Sequence, residues 1–370
     1  MLGKLGMSSG FLLLWVLLAS PKALEAAWTV SEIARNAGNS RFEGDYVAYD
    51  RADDILLYRI STADHFAVTH DGSASVDEIL GMEDNWLWFS SLDTRNGSCR
   101  LRLYDRITGR IHDLMEGEHP MVWGSAEGGV AVIRADGDWW LCSAESLQRV
   151  TWNETTIVKY EAVRSGDFLF WTGSSSETGG HRWVFRSYIP LPLTVPLARD
   201  DRDRHSLCGS GDHVVWMEYP SSSQNLREVY HYRTSSGEKR LVGTSQELAW
   251  ADFLDMEYPS LIWIQKDGSR WKLIRYDLES GLNMTLQVSN LRMLEPVIHG
   301  NRILYVTENC PDRTCAELNV HDLASRTWSR LTTMGNTHDV WASEPDQDRI
   351  VWSDHSALTG DKVLTAVGGP

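Results

Sequence analysis

His338-Asp339, just before Trp341, is the polar pair with the most chemistry in it, because an imidazole beside a carboxylate can bind a metal or move a proton. Neighbouring residues on a strand point to opposite faces, so the pair reads first as two separate surface side chains. Asp200-Asp201-Arg202-Asp203 is acidic enough to attract Ca²⁺. It lacks the glycine and closing glutamate of an EF-hand loop, and it reads as a solvated connection. Trp123, Trp250 and Trp341 offer flat apolar faces against which a sugar ring or an apolar side chain could stack. Cys310 and Cys315, separated by four residues that include Pro-Asp, are spaced for a disulfide across a hairpin tip. Closing so short a loop restricts the unfolded chain by about 2 kcal/mol. No second Cys pair or His pair stands at ligand spacing, so no metal site is expected. Cys99, Cys142 and Cys208 read as small buried apolar side chains. There is no Gly-x-Ser-x-Gly elbow, His-Glu-x-x-His, phosphate loop or dinucleotide fingerprint, so neither a catalytic residue nor a cofactor is expected.

Charge and the first residues bound the setting. The chain has 370 residues with 51 acids against 35 bases, a formal charge of -16. Both signs are spread along it, which leaves no basic footprint for phosphate and excludes nucleic acid as an expected partner. Residues 1–26 carry Lys4, nine consecutive apolar residues from Phe11 to Ala19, and a small-residue stretch ending at Ala26. That is the layout of a cleavable signal peptide. The apolar run is far short of the ~20 residues that span a bilayer, so the mature chain is expected to lack a membrane span. Cleavage removes Lys4, Lys22 and Glu25, giving -16 - 2 + 1 = -17 for residues 27–370. The expected location is extracytoplasmic: periplasmic, cell-surface or secreted, where disulfides persist.

The elements that position these residues are legible as a repeat. A polar residue or Gly, a variable residue, two apolar residues and usually an aromatic recur as Asp45-Tyr-Val-Ala-Tyr49, Asn85-Trp-Leu-Trp-Phe89, Gly129-Val-Ala-Val-Ile133 and Asp167-Phe-Leu-Phe-Trp171. The pattern continues as Asp212-His-Val-Val-Trp216, Pro259-Ser-Leu-Ile-Trp263, Asn301-Arg-Ile-Leu-Tyr305 and Asp348-Arg-Ile-Val-Trp352. The final positions are 40, 44, 38, 45, 47, 42 and 47 residues apart. A second element follows the clearest copies, as in Leu103-Tyr-Asp-Arg-Ile-Thr-Gly109, Ile274-Arg-Tyr-Asp-Leu-Glu-Ser-Gly281 and Val320-His-Asp-Leu-Ala-Ser-Arg326. Each is an apolar strand, a polar or glycine turn and a return strand.

Period-two alternation without long helical stretches makes the chain all-β, and repeats of ~40 to 45 residues holding about four strands are propeller blades. A single blade cannot bury both of its faces, so the copies must stack into a ring. The expectation is one β-propeller domain over 27–370 with eight blades, or seven if the first or the degenerate third copy is something else. After Trp352 only a strand at Lys362 to Val367 remains. The N-terminal strand at Trp28 to Ala34 is therefore expected to complete the last blade and close the ring. Trp171, Trp216, Trp263 and Trp352 share one repeat position and belong inside blades.

Trp341-Ala-Ser-Glu-Pro-Asp-Gln-Asp-Arg-Ile-Val-Trp352 resembles the Trp-Ser-Pro-Asp-Gly, then Ile-Ala-Phe, pattern of the Tol-type (TolB-like) β-propeller repeat family. Trp123 and Trp250 stand at comparable distances before Ile133 and Trp263, and the Tyr-Asp-Leu, Ser-Gly phrasing extends the likeness over most of the mature chain. The resemblance implies the propeller. A complete scaffold without a catalytic constellation implies a non-enzymatic binding protein for another protein or a cell-envelope polymer. Its expected contact residues at the channel mouth are Trp123, Trp250, Trp341, His338 and Asp339. The alternative is an extracytoplasmic polysaccharide lyase or hydrolase whose carboxylates and histidines gather in the central channel from several blades.

Overall fold

Each copy of the repeat folds into one four-stranded antiparallel sheet, and the eight sheets form a ring. The computed structural model describes residues 28–70, 74–117, 122–127, 129–152, 157–191, 193–197, 200–220, 226–246, 254–308, 316–332, 338–345, 349–356 and 361–367, with backbone alone at 122–127, 338–345 and 355–356. Residues 1–26, expected as a signal peptide, lie outside these, as do Trp250, Cys310 and Cys315 of the expected contact set and disulfide.

The N-terminal strand is β1 (Thr29–Arg35). Blade 1 follows with β2 (Ser40–Glu43), β3 (Tyr46–Arg51), β4 (Asp54–Arg59) and β5 (Asp64–Ala67). Blade 2 is β6 (Ser75–Glu83), β7 (Trp86–Asp93), β8 (Cys99–Asp105) and β9 (Arg110–Gly117). Blade 3 is β10 (Val122–Glu127), β11 (Val130–Ala135), β12 (Asp138–Cys142) and β13 (Leu147–Arg149). Blade 4 is β14 (Val158–Ser165), β15 (Phe168–Ser174), β16 (Trp183–Tyr188) and β17 (Leu193–Pro196). Blade 5 is β18 (Asp203–Ser210), β19 (His213–Tyr219), β20 (Leu226–Arg233) and β21 (Glu238–Gln246). Blade 6 is β22 (Leu254–Glu257), β23 (Ser260–Asp267), β24 (Arg270–Asp277) and β25 (Asn283–Ser289). Blade 7 is β26 (Arg292–His299), β27 (Arg302–Glu308), β28 (Ala316–Asp322) and β29 (Thr327–Arg330). Blade 8 is β30 (His338–Pro345), β31 (Arg349–Ser356) and β32 (Lys362–Val367), with β1 as its fourth strand. The first and third copies are complete blades, which decides for eight over seven. Among the described residues no helix is long and apolar enough to cross a membrane.

The first strand of each blade contacts the first strand of the next, and β30 contacts β2, so these strands ring the central channel. The second strands supply the core: Trp88, Trp171, Trp216, Trp263 and Trp352 are all less than 2% exposed. Blades 4 and 5 illustrate the packing, with Val163, Phe170 and Val184 against Val214, Trp216 and Tyr232. Polar side chains then tie neighbouring blades at the ends of the innermost strands. Glu83 accepts from the Gly129 N–H, Ser165 donates to the Gly211 carbonyl, Ser210 accepts from Tyr258 N–H and Glu257 accepts from Gly300 N–H. The partners are 46, 46, 48 and 43 residues apart, one repeat in each case.

In five blades a carboxylate holds the turn between third and fourth strands, and the chain delivers it in two ways, while blade 3 uses the Ser143 hydroxyl. Asp105, Asp277 and Asp322 end their third strands and accept from turn residues Ile107, Ser280 and Ser325. In blades 1 and 5 the equivalent position is Arg59 or Arg233, and the carboxylate comes from Asp45 or Asp212 at the start of the second strand. Asp45 takes the Ser61 N–H at 2.9 Å and Asp212 the Ser235 N–H at 2.7 Å, while each arginine pairs with its aspartate at 3.1 Å. Gly109, Gly237 and Gly281 supply the positive φ at these turns, where blade 7 uses Arg326.

The ring is closed by the N-terminal strand. β1 runs antiparallel to β32 from Thr29 opposite Val367 to Arg35 opposite Lys362. Ile33 and Ala34 pack with Val351, Val363, Phe42, Val47 and Tyr49, joining blades 8 and 1. The Ser40 and Ser353 hydroxyls meet at 2.9 Å, and Arg349 reaches Asp45 at 3.4 Å. Deleting residues 29–35 removes a ladder of backbone hydrogen bonds worth about 1 kcal/mol each, so the melting temperature should fall by on the order of 10 °C. Substitution of the exposed Val30 by Ala should leave it unchanged. A thermal melt of the two variants checks both outcomes.

Candidate functional site

The innermost strands begin at one mouth of the channel, and there blades 4 and 5 gather a set of side chains contributed by five separate chain segments. Two bulges prepare the ground. β14 is irregular between Lys159 and Ala162, and β18 between His205 and Cys208, where Ser206 adopts φ 55°. An extra residue in a strand locally re-aims its neighbours, and here the Leu207 N–H is turned to Glu161 at 3.0 Å.

Arg182, just ahead of β16, is the centre of the arrangement. Its guanidinium carbon lies 3.8 Å from the centre of the Tyr160 ring, and Nη1 donates to His205 Nδ1 at 2.8 Å. Its backbone N–H is held by Asp203 at 2.7 Å, and His181 stands 3.8 Å from the same carboxylate. Guanidinium can only donate, so His205 Nδ1 accepts and the imidazole proton sits on Nε2. Burial, and then the charge of Arg182, bring the His205 pKa down to about 4. The His205 ring packs edge-on to Tyr219 at 5.0 Å, and Arg227 lies over the other ring at 4.9 Å. Among the described residues no carboxylate lies within ion-pair distance of the Arg182 guanidinium. The site is thus a partly buried cation, a neutral imidazole and two tyrosine rings. It can bind an anion that carries a flat or apolar body.

Beneath it Arg204, fully buried, pairs with the buried Glu218 at 3.1 Å. Glu218 also accepts from Lys239 at 2.5 Å and Trp216 Nε1 at 2.9 Å, and Arg202 reaches it at 3.3 Å. Burial alone would raise the Glu218 pKa, but the Lys239 and Trp216 hydrogen bonds and the charge of Arg204 hold it below the usual carboxylate range. Asp200 completes the network on Arg204 at 2.5 Å. As read from the sequence, 200–203 is a solvated connection between blades 4 and 5: Asp201 is exposed, and the Asp200 and Asp203 side chains are each 43% exposed. Asp203 also opens β18, and Asp200 and Arg202 reach inwards to the buried Arg204–Glu218 pair.

At the opposite mouth His213 Nδ1 meets His231 Nε2 at 2.8 Å, and Arg240 donates to His231 Nδ1 at 3.1 Å. The direction of this chain follows from the arginine: His231 carries its proton on Nε2 and gives it to His213. Burial, then Arg240, brings His231 to a pKa of about 4.

Trp123 lies on β10, the innermost strand of blade 3, and His338, Asp339 and Trp341 lie on β30, that of blade 8, with blades 1 and 2 between. The backbone therefore puts all four on channel-lining strands without bringing the two sets together. Cys99 and Cys142 are buried as expected, burial pushing Cys142 up to about 12, while Cys208 is half-exposed. Arg182, His205, Tyr160 and Tyr219 were not singled out from the sequence. The alternation Arg182, Val184, Arg186, Tyr188 could have pointed to Arg182 alone, since it sets two arginines on the face of β16 whose Val184 is buried against blade 5.

No protein-family model and no curated protein matches the sequence. Solved structures do. Dipeptidyl peptidase 4 of Porphyromonas gingivalis superposes with a TM-score of 0.64 at 13% identity over 91% of this chain, which spans 58% of the peptidase. An oligogalacturonate lyase in complex with manganese gives 0.59 at 12% identity, covering 93% of this chain and 98% of its own. BamB from Moraxella catarrhalis gives 0.52 at 12% identity, covering 92% and 100%. These likenesses establish the propeller fold, and the three proteins differ in what they do.

His205 and His231 are neutral in the folded protein and take a proton below pH ~6.5 once unfolded. Stability is accordingly intact above that pH and lost as pH falls towards 4, by up to about 3 kcal/mol for His231, which is 4% exposed. His231→Gln should flatten the urea-unfolding free energy between those pH values. A slope equal to that of the parent protein would contradict the assignment.

Proposed function

We propose that the protein is an exported, non-enzymatic propeller that binds a carboxylate-bearing segment of a protein or cell-envelope polymer at the mouth over blades 4 and 5. The observation that carries this reading is Arg182, a partly buried guanidinium stacked on Tyr160 and held by a neutral imidazole, with no carboxylate partner among the described residues. A partly buried cation left in that state gains from a ligand anion, and a planar guanidinium suits a carboxylate in particular. Tyr160 and Tyr219 supply aromatic surface for the body of the ligand. Trp123 on the neighbouring blade 3, together with Trp250, Trp341, His338 and Asp339, would extend the contact around the mouth. Export rests on the signal-like residues 1–26.

A second reading, a polysaccharide lyase or hydrolase, is favoured by one feature of the same site. His205 is held neutral at physiological pH beside a guanidinium and the Tyr219 ring, with its Nε2–H free to give a proton next to a bound carboxylate. Titration calorimetry with polyglutamate and with polygalacturonate separates the readings. Binding to either should weaken at least tenfold in Arg182→Ala, the loss of a charge-assisted hydrogen bond of about 1.5–3 kcal/mol, and weaken less in Arg182→Lys. Unchanged affinity in Arg182→Ala would sink the binding site. Release of unsaturated sugar from polygalacturonate, followed by ultraviolet absorbance and lost in His205→Ala, would establish the lyase instead.

A further inference from the structure

The same face of β16 carries a second arginine towards the opposite mouth. Arg186 lies beside a groove of about 310 Å³ whose other walls are Phe168, Tyr188, Leu193 and Val195. These residues are cross-strand neighbours: Phe168 opposes Tyr188, Arg186 opposes Val195 and Tyr188 opposes Leu193. The Arg186 guanidinium sits 4.8 Å over the Phe168 ring and donates one hydrogen bond, to the Tyr232 hydroxyl of blade 5 at 3.1 Å. Among the described residues no carboxylate lies within ion-pair distance of it. A chain with 51 acids against 35 bases thus leaves a guanidinium unneutralised inside an apolar groove.

We propose that this groove binds the free carboxy-terminus of a peptide ending in an apolar residue. Three observations define the ligand. The volume is at the small end of ligand pockets, which suits one side chain and its carboxylate and not a polymer track. The walls are aromatic and aliphatic, and Leu193 among them stands 64% exposed, apolar surface that a bound side chain would cover. The single charge is a guanidinium, whose fork matches a carboxylate. Backbone pairing is not the mode of attachment, because the edge strand β17 is only four residues long and ends in Pro196, which has no N–H to offer.

The test titrates the full chain with N-acetyl-phenylalanine, N-acetyl-phenylalanine amide and hexanoate, followed by NMR of the protein. The acid should bind at least tenfold more tightly than its amide and more tightly than hexanoate. That preference should vanish in Arg186→Gln and partly survive in Arg186→Lys. Leu193→Ser, a change at an exposed position, should weaken the acid severalfold with no shift in melting temperature. Equal binding of acid and amide would overturn the proposal, and hexanoate binding as tightly as the amino acid would assign the groove to simple fatty carboxylates. Arg182→Ala should leave all these affinities untouched; loss of the preference there would move binding to the mouth over blades 4 and 5 and overturn the groove.

Discussion

A blade of this protein has apolar side chains on both faces, and that constraint governs the rest of the molecule. Val215, Trp216 and Met217 are consecutive and each is fully buried. Trp216 packs towards blade 4, and Val215 and Met217 join the cluster that continues through blades 6 and 7. Removing either neighbour would expose large side chains worth about 1.5–3 kcal/mol each when buried. No blade is therefore a stable unit, and the ring is the smallest object in which every face is covered.

The polar links between blades serve the same requirement at the ring's ends, where apolar packing stops. A side chain at the end of one innermost strand meets the first turn of the next blade, and Glu and Ser both perform the task. Two turn designs coexist in the same way, one with aspartate at the end of the third strand and one with an arginine there and the aspartate across from it. Identity at a position is loosely held in this repeat while the hydrogen bond is kept.

This explains what was legible beforehand. The period, the all-β class, the blade count and the closing strand follow from burial, and burial leaves a mark in every copy: Tyr49, Trp171, Trp216, Trp263 and Trp352 recur at one position. The mouth over blades 4 and 5 has no such mark. Tyr160, Arg182, His205 and Tyr219 come from different strands of two blades, two of them at bulges whose effect on direction depends on tertiary contacts. Segment 200–203 reads as solvated and is, but nothing in the sequence announces that Arg204, which follows it, is turned inwards onto Glu218.

The shared strand of blade 8 also sets an order of events. Thr29 pairs with Val367, a separation of 367 - 29 = 338 residues, so the loop that this contact closes is nearly the whole chain. During synthesis, β1 emerges before all its partners and must wait unpaired while seven blades are made. Contacts of such range form slowly, and an edge strand kept waiting is open to pairing with another chain. Glu32 and Arg35 keep one side of β1 polar, and their exposed ion pair lies along it. The strand that locks the ring is thus also the one whose solubility in isolation limits how safely the ring can assemble.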